Sequence, residues 1–369
     1  MVAISDMTYD ELKAHQFELK NKISKYKNLQ LAKKVQLNSA YGALGNQYFR
    51  FFDVRQAEAI TLSGQLSIKW IERRVNDYLN FILKTNKVDY VIASDTDSIY
   101  IRLNDLVSNI FPKGTDKEKI VNYLDKVASK KLEPFINKSY EMLAKNMNAY
   151  EQKMIMKREA IADKGIWTAK KRYILNVYDN EGVRYAEPKL KMMGIETVKS
   201  STPAVCRNAL KGAIKVIMNG DEESIHDYIS KFREVFNTLP FEEVAFPRGI
   251  SDINKYSVKG KQLVIPKGTP IHVRGALAYN YLLKRHKLTK KYQTIKSGEK
   301  IKFCYLKTPN SSRQNVISSL STLPAQFDIS KFIDYDLQFE KSFLDPLKNI
   351  LNSIGWGTEK RTTLEEFFI

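Results

Sequence analysis

Cysteine is almost absent from this sequence. The 369 residues include two, Cys206 and Cys304, so a disulfide framework and a cysteine-rich zinc site are both excluded. Histidine is nearly as sparse. His15, His226, His272 and His286 stand apart, without metal-ligand spacing, and read as surface or packing residues. No apolar run approaches the length that crosses a bilayer, and no signal-peptide pattern opens the chain, so the expectation is a soluble, cytoplasmic protein with no membrane partner. Internal repeats and low-complexity tracts are missing as well. Acidic residues are in deficit: 41 Asp plus Glu face 60 Lys plus Arg, a net charge of +19. That excess points to a polyanionic partner, nucleic acid first, although a basic chain that merely stays soluble has the same composition. Apolar residues make up 43% of the chain, enough to fold, and the length suits two or three domains.

The sharpest local pattern is Val91-Ile92-Ala93-Ser94-Asp95-Thr96-Asp97-Ser98-Ile99-Tyr100-Ile101. Apolar, β-branched flanks around a small polar knot predict two strands joined by a tight turn, with Asp95 and Asp97 at its tip. Two carboxylates so close together need a divalent cation or a basic neighbour. An Asp-x-Asp pair alone is weak, since Asp334-Tyr335-Asp336 repeats it in a polar segment that reads as a solvated turn.

Upstream, Thr8-Tyr9-Asp10-Glu11 forms a capping box that predicts a helix start near residue 9. The helical pattern continues past Lys34, Asn38 and Tyr41, which share one face at i, i+4 and i+7. A cation, an amide and a phenol then line up over roughly 10 Å, as a phosphate-bearing base would require. A solvated face ending at Gly42 and Gly45 fits the same spacing.

Residues 56–84 read as a long helix packed on the sheet of the Asp-x-Asp hairpin. Residues 104–118 read as loop, with helices to follow over 117–131 and 133–147. Met154–Ala160 is a candidate strand, and Glu159 a candidate third acid near a metal or the partner in a plain ion pair. Lys170-Lys171-Arg172 open a strand that continues through Tyr173 to Val177. Alternation places Lys171 with Tyr173 on one face and Lys170 with Arg172 on the other, a pattern that suits sugar–phosphate contact or a solvated edge. Thr202-Pro203 reads as the start of a helix with Cys206, Ala209, Leu210, Ala213, Ile214 and Ile217 on its apolar face and Gly220 as its stop. A second helix runs from Ile225 to Leu239. Beyond it the chain reads as basic, glycine-punctuated and short-stranded, through Ile271–Gly275 to Tyr279-Asn280.

Lys34, Asn38, Ser39, Tyr41 and Gly42 together resemble the fingers motif of the family B DNA polymerases, those of T-even phages above all. Ser94-Asp95-Thr96-Asp97-Ser98 is similar to their second palm carboxylate motif, in the same order along the chain. Further likeness lies in Tyr41–Asn46, Trp70-Ile71-Glu72-Arg73 and Pro188–Gly194. The resemblance implies an α+β fold, a partial right hand. It would comprise a second fingers helix over 1–45, a palm with antiparallel sheet and packing helices over 46–190, and a mostly helical thumb with short strands over 191–360. It implies two Mg2+ ions on Asp95 and Asp97, and deoxynucleoside triphosphate bound by Lys34, Asn38, Tyr41 and Gly42. Primer-template DNA would be held by Lys170, Lys171, Arg172, Tyr173, Lys189, Lys191 and Arg274. The end of the chain, Arg361–Ile369, is similar to a sliding-clamp-binding peptide, with Leu364, Phe367 and Phe368 as anchors; a tail folded back on the thumb is the other reading. For a phage-encoded chain the compartment would be the host cytoplasm.

Three family features have no counterpart here. There is no aspartate before a Ser-Leu-Tyr-Pro run, no exonuclease carboxylate motif and no first fingers helix. Lys157 also stands where the family often has an acid. The expectation is therefore the C-terminal subunit of a split DNA polymerase, active with a partner chain that supplies the exonuclease and the first palm aspartate. A catalytically inert module that binds DNA and the clamp is the alternative, and a truncated ordinary polymerase is a third.

Overall fold

The computed structural model describes residues 7–256 and 263–359. The chain forms two compact units, Met1–Arg158 and Glu159–Ile369, each with a hydrophobic core of its own. Helices are mixed with three antiparallel sheets among the described residues, which is an α+β arrangement.

The first unit opens with α1 (Tyr9–Leu44), started by the capping box expected from the sequence. The Thr8 hydroxyl accepts from the Glu11 N–H at 3.4 Å, and the Glu11 carboxylate accepts from the Thr8 N–H at 2.8 Å. None of its residues is buried. Gly45 is the C-cap, whereas Gly42 lies inside the last turn. After a short aromatic turn, α2 (Val54–Leu83) is capped by Asp53, whose carboxylate accepts from the Arg55 N–H at 2.9 Å.

Ile71, Val75 and Leu79 recur every four residues along α2 and are all buried. They pack against Tyr90, against Val91 in β1 (Val91–Asp95), and against Ile136, Tyr140 and Leu143 in α5 (Glu133–Asn146). The Trp70 indole donates to the Ser139 carbonyl at 2.9 Å, and the Tyr78 ring stacks on Phe135 at 4.2 Å. Between these elements run β2 (Ser98–Ile101), α3 (Asn104–Ile110) and α4 (Lys117–Val127), with a π-helical turn at Ala128–Leu132.

The loop expected over 104–118 is thus partly helix. Asn104-Asp105 signals a helix start as readily as a turn, and half-buried Leu106 and Val107 settle it as helix. Only the stretch around Gly114, at φ 89°, is a turn. The strand expected at Met154–Ala160 also differs: pairing begins at Ala160. Met154 and Ile155 are exposed, and Met156 is turned into the first core, so no period-2 face forms.

The second unit begins with a meander of β3 (Ala160–Ala169), β4 (Arg172–Asn180) and β5 (Val183–Met193). Ala169 pairs with Arg172, so Lys170 and Lys171 form the two-residue turn and do not open the strand. Lys171 takes φ 61°, the left-handed backbone that such a turn demands. Charge was a poor guide there, because cations carry no information about where a hairpin reverses.

Next come α6 (Ala204–Asn219), α7 (Glu222–Phe236), α8 (Phe241–Val244), β6 (Phe246–Gly249) and α9 (Ile271–Arg285). They are followed by β7 (Lys300–Tyr305), β8 (Val316–Ser319), α10 (Tyr335–Phe339) and α11 (Asp345–Asn352). The apolar face expected on α6 is buried in full, and Gly220 ends the helix. Pro203, not Thr202, occupies the N-cap position, and no side chain caps that end. Asp334 is no solvated turn: its carboxylate accepts from the Leu337 N–H at 3.1 Å and caps α10.

Ile271–Asn280, read as short strands, lies within α9. Its β-branched residues and Gly275 resemble a strand, but Val273, Ala276, Tyr279 and Leu283 are buried at helical spacing. Gly275 is there for close approach. A Cβ would come within 2.9 Å of the Ile317 carbonyl carbon and the Ser318 nitrogen, main-chain atoms of β8. Gly275→Ala gains about 1 kcal/mol of helix propensity but overpacks the contact by about 1–3 kcal/mol. We expect a lower urea midpoint for this variant; an unchanged one would mean that β8 yields freely.

Candidate active site

The hairpin bearing Asp95 and Asp97 forms where the sequence places it. Asp95 is the last residue of β1 and pairs with Ser98, and Thr96-Asp97 make the turn. Thr96 sits at φ 56°. The Asp97 N–H donates to the Asp95 carbonyl at 2.7 Å, and the Ser98 hydroxyl donates to the same carbonyl at 3.1 Å. The Thr96 hydroxyl donates to a carboxylate oxygen of Asp95 at 3.0 Å. Asp95 is half-buried and Asp97 exposed. Behind them the buried Tyr140 phenol is shifted upward, first by burial and second by the negative charge of Asp97.

A two-stranded sheet has little hold on its own position. Here α2 provides it. Asn76 Oδ1 accepts from the N–H groups of Tyr90 at 2.8 Å and Val91 at 2.9 Å, while its Nδ2 donates to Asp89 at 2.7 Å. One turn on, Asn80 Oδ1 accepts from the Val88 N–H at 2.9 Å, and its Nδ2 donates to the Val88 carbonyl at 2.7 Å. The Arg102 N–H closes the far end of the hairpin on the Tyr90 carbonyl at 2.8 Å. Sequence reasoning missed both asparagines. The available signal was two residues poorly suited to helix interiors, spaced one turn apart on the buried side of a long helix.

Lys34, Asn38 and Tyr41 lie on α1 at the expected spacing and all are exposed, as is Gly42 in the same turn. The remaining candidates belong to the second unit. Tyr173 is buried beside Trp167, with ring centroids 6.3 Å apart. Arg172 donates to both carboxylate oxygens of Glu196, at 2.8 and 2.6 Å. Lys189 and Lys191 pair with Val177 and Leu175 across β4. The Lys189 ammonium lies 4.0 Å from the Tyr185 ring centroid. Lys191 forms an ion pair with Glu159. Arg274 donates to Asn315 at 3.4 Å. Leu364, Phe367 and Phe368 lie outside the described residues.

Among the described residues, no three His, Cys, Asp or Glu side chains gather in a way that could hold a metal ion. No helix there is long and apolar enough to cross a membrane. Cys206 and Cys304 are buried and unbonded to each other. Burial lifts the Cys206 thiol to about 11 and raises the Cys304 thiol well above its ordinary value.

Residues 8–127, which include α1, α2 and the hairpin, match the model of DNA polymerase family B. By sequence, the chain is similar to the family B DNA polymerases. Within them it is similar to the DNA-directed DNA polymerases of Enterobacteria phage T4, 37% identical, and of Escherichia phage RB69, 38% identical. Each match spans 352 residues, which is 92% of this chain but 38% of the relative. The chain therefore spans well under half the length of these relatives. The DNA polymerase alpha catalytic subunit of Trypanosoma brucei brucei is 25% identical over 60% of the chain and 15% of its own length.

Proposed function

We propose that this chain is the C-terminal subunit of a split family B DNA polymerase, performing template-directed DNA synthesis with a second polypeptide. What carries the reading is a coincidence. The hairpin that α2 grips, with Asp95 and Asp97 at its tip, falls inside the stretch that matches the family model. In this reading residues 1–45 are the second fingers helix, 46–190 palm and 191–360 thumb. Residues 361–369 would be a tail for a sliding clamp.

Carboxylate oxygens are hard donors, and one or two of them suit Mg2+ when water and substrate phosphates complete its shell. Asp95 and Asp97 would hold two such ions, which when bound stabilise charge on the attacking and leaving oxygens. Glu159 is left out of that set, since Lys191 already neutralises it. In the split reading, the remaining donors would come from the second polypeptide, which carries the first palm aspartate.

Lys34 would contact the triphosphate, Asn38 and Gly42 its surroundings, and the Tyr41 ring the nascent pair. Lys34→Ala is expected to weaken deoxynucleoside triphosphate binding on the order of tenfold, the worth of one charge-assisted contact. Unchanged nucleotide affinity would make this face merely solvated. Lys170, Lys171, Arg172, Lys189, Lys191 and Arg274 would line the path of primer-template DNA, with the buried Tyr173 ring supporting the meander from behind, and phosphate contacts there would give salt-dependent, sequence-independent affinity.

The deciding experiment is primer extension by this chain alone, by a candidate second polypeptide alone and by the two together. Synthesis confined to the mixture is the expected result. An absence of synthesis in every arm, with duplex binding retained, would favour the inert DNA- and clamp-binding module.

A further inference from the structure

We infer that Asn76 is a positioning residue for nucleotidyl transfer: its side-chain amide sets the angle at which the hairpin presents Asp95 and Asp97. The inference rests on the reading of those aspartates as the catalytic pair.

One oxygen of Asn76 holds two successive main-chain N–H groups, those of Tyr90 and Val91, where β1 begins. Its nitrogen is committed to Asp89, so the amide cannot turn over without losing all three bonds. Val75 and Leu79, on either side of it along α2, are buried, which fixes the helix surface from which it reaches. Beyond the grip, the hairpin rests on the first core through Val91, Ile99 and Ile101. β1 and β2 form a two-stranded sheet, and the pairing slips between Val91 and Ala93. An irregularity there lets the distal part swing unless its base is held.

The lever arm gives the scale. Asp95 lies four residues beyond Val91, roughly 13 Å of strand, so a tilt of about 5° at the grip moves the carboxylates by roughly 1 Å. A displacement of that size at reacting groups costs on the order of a hundredfold in rate.

The test uses the full chain with the second polypeptide that restores synthesis. Asn76→Asp keeps an oxygen for the Tyr90 and Val91 N–H groups but sets a second carboxylate against Asp89. We expect kcat to fall on the order of tenfold to a hundredfold, with KM for the nucleotide and primer-template affinity unchanged. Amide exchange over 94–99 should quicken in the same variant. The double change Asn76→Asp with Asp89→Asn rebuilds the bond with donor and acceptor exchanged, and should recover both kcat and exchange protection. Because Asn76→Ala removes every bond and can unfold the region, the charge-swapped pair carries the test.

Unchanged kcat in folded Asn76→Asp would overturn the inference, and so would a rise in KM alone. A double variant that regains thermal stability without regaining kcat would overturn it too. Failure of the underlying reading looks different. Asp97→Asn would then retain synthesis, while the exchange measurement still decides whether Asn76 holds the hairpin.

Discussion

Replacing Asp97 by asparagine is expected to slow nucleotide incorporation by the reconstituted enzyme a thousandfold or more. The substitution keeps shape and volume and removes one negative charge at the turn of the hairpin. Transition-state stabilisation by two metal ions depends on anionic oxygens that hold both, and losing one of two carboxylates costs several kcal/mol. The fold has no reason to fail. Asp97 is exposed, and the bond that shapes the turn runs from its main-chain N–H to the Asp95 carbonyl. Primer-template affinity should therefore persist while single-turnover incorporation collapses. Asp336→Asn is the natural control, because that second Asp-x-Asp acid sits on α10 in loose ion pairs with Arg233 and Lys307 at 3.7 and 3.8 Å. Near-normal extension by the Asp97 variant would sink the assignment of the pair.

The second large effect is the dependence on another polypeptide. Alone, the chain should bind duplex weakly, lose that binding steeply with added salt, and leave a primer unextended. The first unit looks unfinished in physical terms. Among its described residues the only sheet has two strands, and α1 buries none of its residues. Phe17, Ile23, Tyr26, Leu31 and Leu37 are each more than half exposed along that helix. In the split reading, apolar side chains so displayed would pack against the second polypeptide. Completing both the sheet and the helix face should bury more than the roughly 2,000 Å² at which standard interfaces end. Co-purification with a chain carrying the missing acid, and synthesis only by the pair, is the expected outcome. Robust metal-dependent extension by this chain alone would overturn the split, since the acid thought missing would then lie within it.

The parts of the chain legible in advance share one property: their signals are local. The Thr8–Glu11 capping box, the long helix over 56–84, the apolar face of α6 with Gly220 behind it, and the strand-turn-strand pattern around Asp95 all rest on signals between residues within a few turns of one another. Backbone capping and hydrophobic period act over that range, and nothing distant competed with them. Asp95, Asp97, Lys34, Asn38 and Tyr41 could be picked out for the same reason.

What went astray depended on partners far along the chain. Ile271–Gly275 has the composition of a strand, and only packing against β8 made it a helix with glycine at the contact. Met154–Arg158 has strand-like residues but belongs to no ladder, and a strand without a ladder is not formed. Lys170 and Lys171 became a turn because β3 and β4 pair up to Ala169 and Arg172, a register written in the whole meander. By itself the sequence determined the class of the chain, its candidate acids and the helix that carries its candidate nucleotide face. Only the tertiary structure decided how those acids are held. Asn76 and Asn80 meet the main chain at residues 88–91 across a connecting loop, and a side-chain amide's choice of partner is settled by which buried N–H groups would otherwise go unsatisfied.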